Sequence, residues 1–299
     1  MDDNKHADGR AGIDAALVER LIAAQFPQWR GEPVRPVEID GWDNRTYRLG
    51  ESMTVRLPTA ASYALAVEKE HRWLPVLAPQ LPVEVPVPLG LGAPGDEYPH
   101  PWAVRRWIDG ETARADRIDD LPAFASQVAD FVTAMQRIDP SGGPEGGEHS
   151  FYRGASLSHY DHEARKALLD LEGRIDTDGA RAVWQTALDT AWDGPPVWFH
   201  GDVAHGNLLV RDGKLSAVID FGTSGVGDPS CDLVIAWTMF EGASREAFRR
   251  GVGADDAAWA RARGWAVWKA MICLAWFGAE GEEAAGHHRV IEAVIAEHA

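Results

Sequence analysis

Cysteine is scarce in this chain of 299 residues: Cys231 and Cys273 stand far apart, with no CxxC and no Cys/His ligand spacing beside either. That scarcity excludes a disulfide framework and a structural zinc site, and it fits a reducing, cytoplasmic setting. Long apolar runs are missing too. The longest, AVWKAMICLAWFGA (266–279), carries Lys269 and is too short to span a bilayer, so it reads as a buried helix. The opening MDDNKHADGR is acidic and polar, unlike a secretory signal. No membrane partner is expected. Positive charge is in short supply, with 29 Lys+Arg against 46 Asp+Glu and a net charge of −17. Such a surface repels nucleic acid phosphates and anionic membranes and attracts cations, or it serves solubility alone. Internal repeats and long low-complexity tracts are lacking as well.

What is present is an ordinary globular composition, 45% apolar and 25% charged, in a chain long enough for one large domain or two lobes. Apolar spacing predicts a helix over 13–26. Short extended segments follow at 34–39, 45–49 and 53–57, separated by Gly41, Gly50 and polar residues, as in an antiparallel meander. Residues 62–77 return to helix, with Pro75 set to end or kink the last turn. A proline-rich stretch leads to a strand candidate at 102–108. A helix over 120–138 tolerates Pro122 in its first turn, and SGGPEGG (141–147) is a loop. Beyond 155 the pattern is helical except between 197 and 221. The acid surplus is uneven: residues 1–110 hold 12 Lys+Arg against 16 Asp+Glu, and residues 111–299 hold 17 against 30.

The polar cluster lies in that exception, in WFHGDVAHGNLL (198–209). Asp212-Gly213 between two apolar runs signals a two-residue hairpin. That turn would pair Arg211 with Lys214, Val210 with Leu215 and Asn207 with Val218. Asn207 then begins one strand, Asp220 ends its partner, and Asp202 sits on the loop feeding the same end. An amide oxygen and a carboxylate brought together suit Mg²⁺, a hard cation that takes few protein ligands. A further carboxylate can accept the proton of an attacking hydroxyl. Phosphoryl transfer needs this set, and Asp-x4-Asn followed by Asp-Phe-Gly is the spacing of kinase catalytic and metal-binding loops.

HGDVAHGN (200–207), IDFG (219–222) and GDPSCDL (227–233) together resemble the signature blocks of the aminoglycoside phosphotransferase family. The resemblance runs from about residue 37 to the C-terminus and weakens after 240. It implies an α+β, two-lobed protein-kinase-like fold, with a small antiparallel-sheet N-lobe over 1–105 and a larger, mostly helical C-lobe over 106–299. It implies Asp202 as catalytic base, Asn207 and Asp220 as Mg²⁺ ligands, and His200 and Asp232 as supports of the catalytic loop. One departure lies inside the motif: Ala204 and His205 replace the usual His-Pro, and His205 either bonds the substrate or points to solvent.

The family also places a phosphate-covering turn at GWDNRTYRL (41–49), where Asn44 would meet phosphate oxygens. Arg56 of TVRLP stands where kinases carry a lysine, and Glu70 matches its glutamate partner. Arginine keeps the charge and can bind phosphate bidentately, but it is forked and longer. AVRRWIDG (103–110) resembles the hinge, with the base edge of ATP or GTP at main-chain atoms near Arg106 and Ile108. Trp102 and Trp107 read as packing groups, as do the tryptophans of 258–276.

Substrate residues are harder to read. Asp161, Glu241 and EGEE (280–283) are candidates for a cationic acceptor, though solvated helix faces would look the same. The expected activity is transfer of the γ-phosphoryl group of ATP or GTP to a hydroxyl of a small cationic antibiotic or metabolite. A choline-, homoserine- or fructosamine-type kinase is the alternative, or a nucleotide-binding pseudokinase with a regulatory role. A monomer and a homodimer are equally compatible with the sequence.

Overall fold

The computed structural model describes residues 10–38, 40–41, 43–278 and 280–298. The polar opening, Ile39 of the first extended segment, Trp42 of the turn, Ala279 and the side chain of Glu282 lie outside the described residues. Helix α1 (Ala15–Gln25) starts where Asp14 caps it, its carboxylate accepting the Leu17 N–H at 2.8 Å. Strands β1 (Val34–Pro36), β2 (Asn44–Leu49), β3 (Met53–Pro58), β4 (Pro88–Gly92) and β5 (Trp102–Arg106) make one antiparallel sheet in the order β1-β2-β3-β5-β4. Leu17, Val18 and Leu21 of α1 share an apolar core with Tyr47, Leu49, Val55, Leu57, Trp102 and Val104. Helix α2 (Ala61–Leu77) joins β3 to β4. Pro75 falls in its last turn, and the helix ends two residues on, passing into a 3-10 turn at Ala78–Gln80.

The larger core is helical. Helix α3 (Leu121–Arg137) is capped by Asp120, with Pro122 in its first turn where no N–H partner is lost. Helices α4 (Asp161–Asp170), α5 (Thr177–Asp189), α6 (Gly242–Val252), α7 (Asp256–Phe277) and α8 (Glu282–His298) complete it. α7 has buried residues around most of its circumference and packs against α4, α5 and α8. Trp259, Trp265 and Trp268 are buried in that packing, whereas Trp276 is exposed where the helix outruns the core.

Between the two cores lie short strands: β6 (Glu111–Thr112), β7 (Val197–Phe199), β8 (Leu208–Arg211), β9 (Lys214–Val218) and β10 (Gly225–Gly227). β7 pairs with β10, and β6, β8 and β9 form a three-stranded sheet. The β8–β9 turn is the expected one, with Asp212 at φ 52° and Gly213 at φ 72°. Arg211 faces Lys214 and Val210 faces Leu215. Beyond them the register shifts, so that Leu209 faces Ala217 and Leu208, not Asn207, faces Val218. The extra residue is Ser216, whose hydroxyl donates to the Leu209 carbonyl at 3.1 Å. Asn207 therefore stays outside the strand, in the 3-10 turn His205–Asn207.

Candidate active site

The loop after β7 is held from below by one carboxylate. Asp232, fully buried, accepts the His200 N–H at 2.8 Å and the Gly201 N–H at 2.6 Å. Burial pushes its pKa up to about 6, and the His200 side chain and the two amide bonds oppose that rise. His200 is fixed by both ring nitrogens: Nδ1 faces the Asp202 N–H at 3.2 Å and Nε2 the Ile219 carbonyl at 3.1 Å. His200 is thus a strut between the two loops, tied to one through Nδ1 and to the other through Nε2. Gly201 has φ 89°, and a Cβ there would lie 2.7 Å from the Thr223 carbonyl oxygen. No other residue type fits that bend.

Above this strut the expected residues converge. Asn207 Nδ2 donates to the Asp202 main-chain carbonyl at 2.9 Å and to its Oδ2 at 3.1 Å. The Ile219 N–H donates to the Asn207 carbonyl at 2.9 Å, which ties the 200–207 loop to the residue before Asp220. Asp220 sits in the left-handed region at φ 64°, which turns its carboxylate out of the β9 line. Its Oδ1 accepts from Arg56 at 3.2 Å. Because the Asn207 nitrogen is spent on Asp202, its oxygen is the atom left for a cation.

Asp202 has a second partner that the sequence did not announce. Lys269 Nζ, on α7, lies 2.8 Å from Asp202 Oδ1. Burial would raise the Asp202 pKa, but the Lys269 ammonium outweighs it and holds the carboxyl down to about 2. Lys269 was legible only as the one charge in an apolar run. Its reach to the loop depends on tertiary packing.

The residues expected to face the nucleotide differ from the simple pairing of Arg56 with Glu70. Glu70, buried on α2, is gripped by both terminal nitrogens of Arg105 at 2.8 and 2.5 Å. Arg56 lies 4.0 Å from Glu70 and engages Asp220 instead. Two guanidiniums thus share one carboxylate. Burial opposes ionisation of Glu70, but Arg105 and then Arg56 hold its pKa below the usual range. The neighbouring Lys69 donates to the carbonyls of His149, Gly222 and Ser224 at 3.1, 2.7 and 2.9 Å. Burial lowers its pKa to about 8.

Asn44 opens β2, but the more telling neighbour is Asp43. Burial, then the Asp220 carboxylate, push Asp43 up to about 6, against the pull of Arg56. Its carbonyl accepts the Thr59 N–H at 2.9 Å and the Thr59 hydroxyl at 3.0 Å, which fastens the turn to the end of β3. At the hinge, the Arg106 and Trp107 N–H groups are spent on the Val87 and Ser52 carbonyls. Ile108 is buried against Leu209 and Ala217 on the floor between the lobes. Trp107 packs under Arg48, 3.9 Å from the guanidinium carbon to the ring centre, and Trp102 packs in the sheet core.

Two substrate candidates fall elsewhere. Asp161 accepts from Trp184 Nε1 at 2.9 Å and Arg165 Nε at 2.8 Å, which makes it a brace between α4 and α5. Glu241 precedes α6, where its backbone exchanges hydrogen bonds with the Ser244 hydroxyl. Neither lines the cavity of about 400 Å³ beside Asp202. That cavity is walled by Arg153, Lys269, Arg289, Glu283, Trp265 and Trp268, among others. The acid surplus of the helical part thus lies mostly outside it.

A small antiparallel sheet, a hinge, and a helical lobe carrying Asp202, Asn207 and Asp220 at the cleft define a protein-kinase-like fold. The chain belongs to the phosphotransferase enzyme family (APH), whose model matches residues 33–265. An aminoglycoside 3'-phosphotransferase of Escherichia coli is 38% identical over 65 residues, a match spanning 21% of this chain and 23% of that relative. Among solved structures, a GDP complex of an aminoglycoside 2'-phosphotransferase-IIIa mutant superposes with TM-score 0.71 at 18% identity, covering 95% of this chain and 98% of the other. A macrolide 2'-phosphotransferase from Brachybacterium faecium gives TM-score 0.58 at 22% identity, covering 94% and 97%. No helix among the described residues is long and apolar enough to cross a membrane.

Proposed function

We propose that this protein is a small-molecule kinase that transfers the γ-phosphoryl group of ATP or GTP to a hydroxyl of an acceptor bound beside Asp202. One observation carries the reading: Asp202 with Asn207, and Arg56 with Asp220, make contacts of 2.9–3.2 Å, and the Ile219 N–H to Asn207 carbonyl bond joins the two pairs at one cleft. Residues 1–105 would hold the nucleotide, and residues 106–299 the catalytic loop and acceptor. The base edge would meet the main chain at Ile108, since the Arg106 and Trp107 N–H groups are already committed. Arg56 and the turn with Asp43 and Asn44 would face the phosphates.

Mg²⁺ fits the residues present. No cluster of three or more His, Cys, Asp or Glu side chains suited to a metal occurs among the described residues. A nucleotide-dependent Mg²⁺ needs less: one carboxylate, one amide oxygen, phosphate oxygens and water. Asp220 and the free Asn207 oxygen supply that, and the Asp220 charge, which adds to burial in raising Asp43, is what a cation would relieve. When bound, the ion would neutralise charge on the transferring phosphate.

The acceptor oxygen attacks the γ-phosphorus, the bond to the β-bridging oxygen breaks, and the nucleoside diphosphate leaves. The hydroxyl proton passes to Asp202. A carboxylate held near pKa 2 is too weak a base to ionise an alcohol in advance. Asp202 therefore orients the hydroxyl and takes the proton as the new P–O bond forms, in keeping with a loose transition state.

The test is a coupled assay of nucleoside-diphosphate release with Mg²⁺ and either ATP or GTP, across hydroxyl acceptors including aminoglycosides, macrolides and amino alcohols. Release that survives Asp202→Asn unchanged would sink the reading. A pseudokinase would bind nucleotide without turnover.

A further inference from the structure

The charge of the cavity beside Asp202 runs against that of the protein. Lys269 is matched there by Asp202 at 2.8 Å. Arg153, half-buried, and Arg289, exposed at the rim, also line the wall, and among the described residues neither forms an ion pair. Glu283, exposed at the rim, is the one other carboxylate on the described wall. Arg153 is held in place: its guanidinium lies 5.3 and 5.0 Å from the ring centres of Trp265 and Trp268, and it donates to the Phe151 carbonyl at 3.2 Å. It also hydrogen-bonds Tyr160. A guanidinium seated on indoles keeps its position while its remaining donors stay available, which is how a planar anion is clamped.

We infer that the acceptor is an anion: a hydroxyl compound carrying a carboxylate, which Arg153 and Arg289 hold while its hydroxyl lies at Asp202. This rests on the kinase reading above and names its substrate class. A cationic acceptor would have to enter past Arg153, Arg289 and Lys269 with Glu283 as its only spare partner. The two arginines are distinct from the phosphate-facing set. They sit on the tryptophan-lined helical side, while Arg56 and Asp220 mark the nucleotide side.

Two measurements test this before any acceptor is identified. Thr238, exposed on the cavity wall, is replaced by cysteine, and its modification rate is measured with methanethiosulfonates of opposite charge. Each rate is normalised to a small free thiol, and the parent chain with Cys231 and Cys273 sets the background. The anionic reagent should react faster by about tenfold, the size of effect a charged cleft has on local ion concentration. Adding Arg153→Ala and Arg289→Ala should bring the ratio near one. A faster cationic reagent, or a ratio that the two substitutions do not move, overturns the inference. In the second measurement, hydroxy acids are compared with their own amides and with amino alcohols in the diphosphate-release assay. The acids should be preferred, and the double arginine variant should raise the acceptor KM while leaving the nucleotide KM unchanged. Preference for the amides or amino alcohols overturns the anionic assignment and leaves the kinase reading intact. Loss of the kinase reading shows separately, as Mg²⁺-dependent nucleotide hydrolysis without acceptor that is absent or indifferent to Asp202→Asn.

Discussion

Asp202 is pulled from two sides, by Lys269 on one carboxylate oxygen and by Asn207 on the other. The Asn207 half was legible in the sequence, because five residues of loop and a fixed motif spacing bring the two together. The Lys269 half was not, since the pair is separated by 67 positions and forms only once α7 docks against the loop. Removing the ammonium leaves burial as the main influence on Asp202, so its pKa should rise. Lys269→Met is therefore expected to lower kcat and to move the acid limb of the kcat/KM profile upward in pH. Lys269→Arg should restore much of both. An unmoved acid limb in Lys269→Met would mean that the pair is incidental. If Asp220 holds Mg²⁺ as proposed, Asp220→Ala should reduce turnover by about a thousandfold or more, given the weight of the ion's charge in such sites. Calorimetry without Mg²⁺ should still find nucleotide binding, and normal activity in that variant would remove Asp220 from the site.

Helix α2 is the element that joins the lobes, and it does so with two successive residues. Adjacent positions on a helix face different directions, so Lys69 reaches the 222–224 loop while Glu70 reaches the sheet. The helix and its neighbours could be read from apolar spacing and from the capping residues at Asp14 and Asp120. The exchange of Arg56 for Arg105 as the main partner of Glu70 could not, because both arginines alternate inward from neighbouring strands and only the sheet register chooses between them. The hairpin shows the same limit. Its turn was written in Asp212-Gly213, but the one-residue shift at Ser216 belongs to strand packing. Breaking the buried pair from one side should be expensive. Arg105→Met leaves Glu70 buried with Arg56 at the edge of reach, and a loss of about 3–5 kcal/mol is expected in urea unfolding. Arg105→Met with Glu70→Leu should recover most of that loss, while the nucleotide KM rises because Arg56 has lost Glu70 and keeps only Asp220. Equal stability of the single and double variants would show that Glu70 finds another partner.

The whole molecule carries its acid surplus on the outside and its perturbed groups at the cleft, and this gives the unfolding free energy an unusual pH dependence. Asp43 and Asp232 both titrate near 6 in the folded state, above the ordinary carboxylate value of 3.8, chiefly because of burial. Between those values the folded protein binds more protons than the unfolded chain. Stability from these two groups therefore falls as pH rises from about 4 to 6, and their cost is fully present above it. Lys69 works at the other end. Its folded pKa near 8 lies below the ordinary 10.5, so the unfolded chain binds more protons there and stability rises across that window. Asp202, depressed to about 2 from 3.8, contributes stability that is present above the ordinary value and is lost as pH falls through 2. Together these groups place a shallow minimum between about pH 6 and 8, where many proteins are at their most stable. The nucleotide-free protein should thus resist urea better at pH 5 than at pH 7, with each shifted carboxylate contributing at most about 1.4 kcal/mol per pH unit. Asp43→Asn should flatten that difference without touching the catalytic loop. Asp232→Asn should flatten it too, but at a cost of about 1–3 kcal/mol at both pH values, because one of its two backbone amides then faces a donor. If the wild type is no more stable at pH 5 than at pH 7, or if neither variant changes the difference, the two carboxylates are not the titrating groups and the cleft does not store this charge.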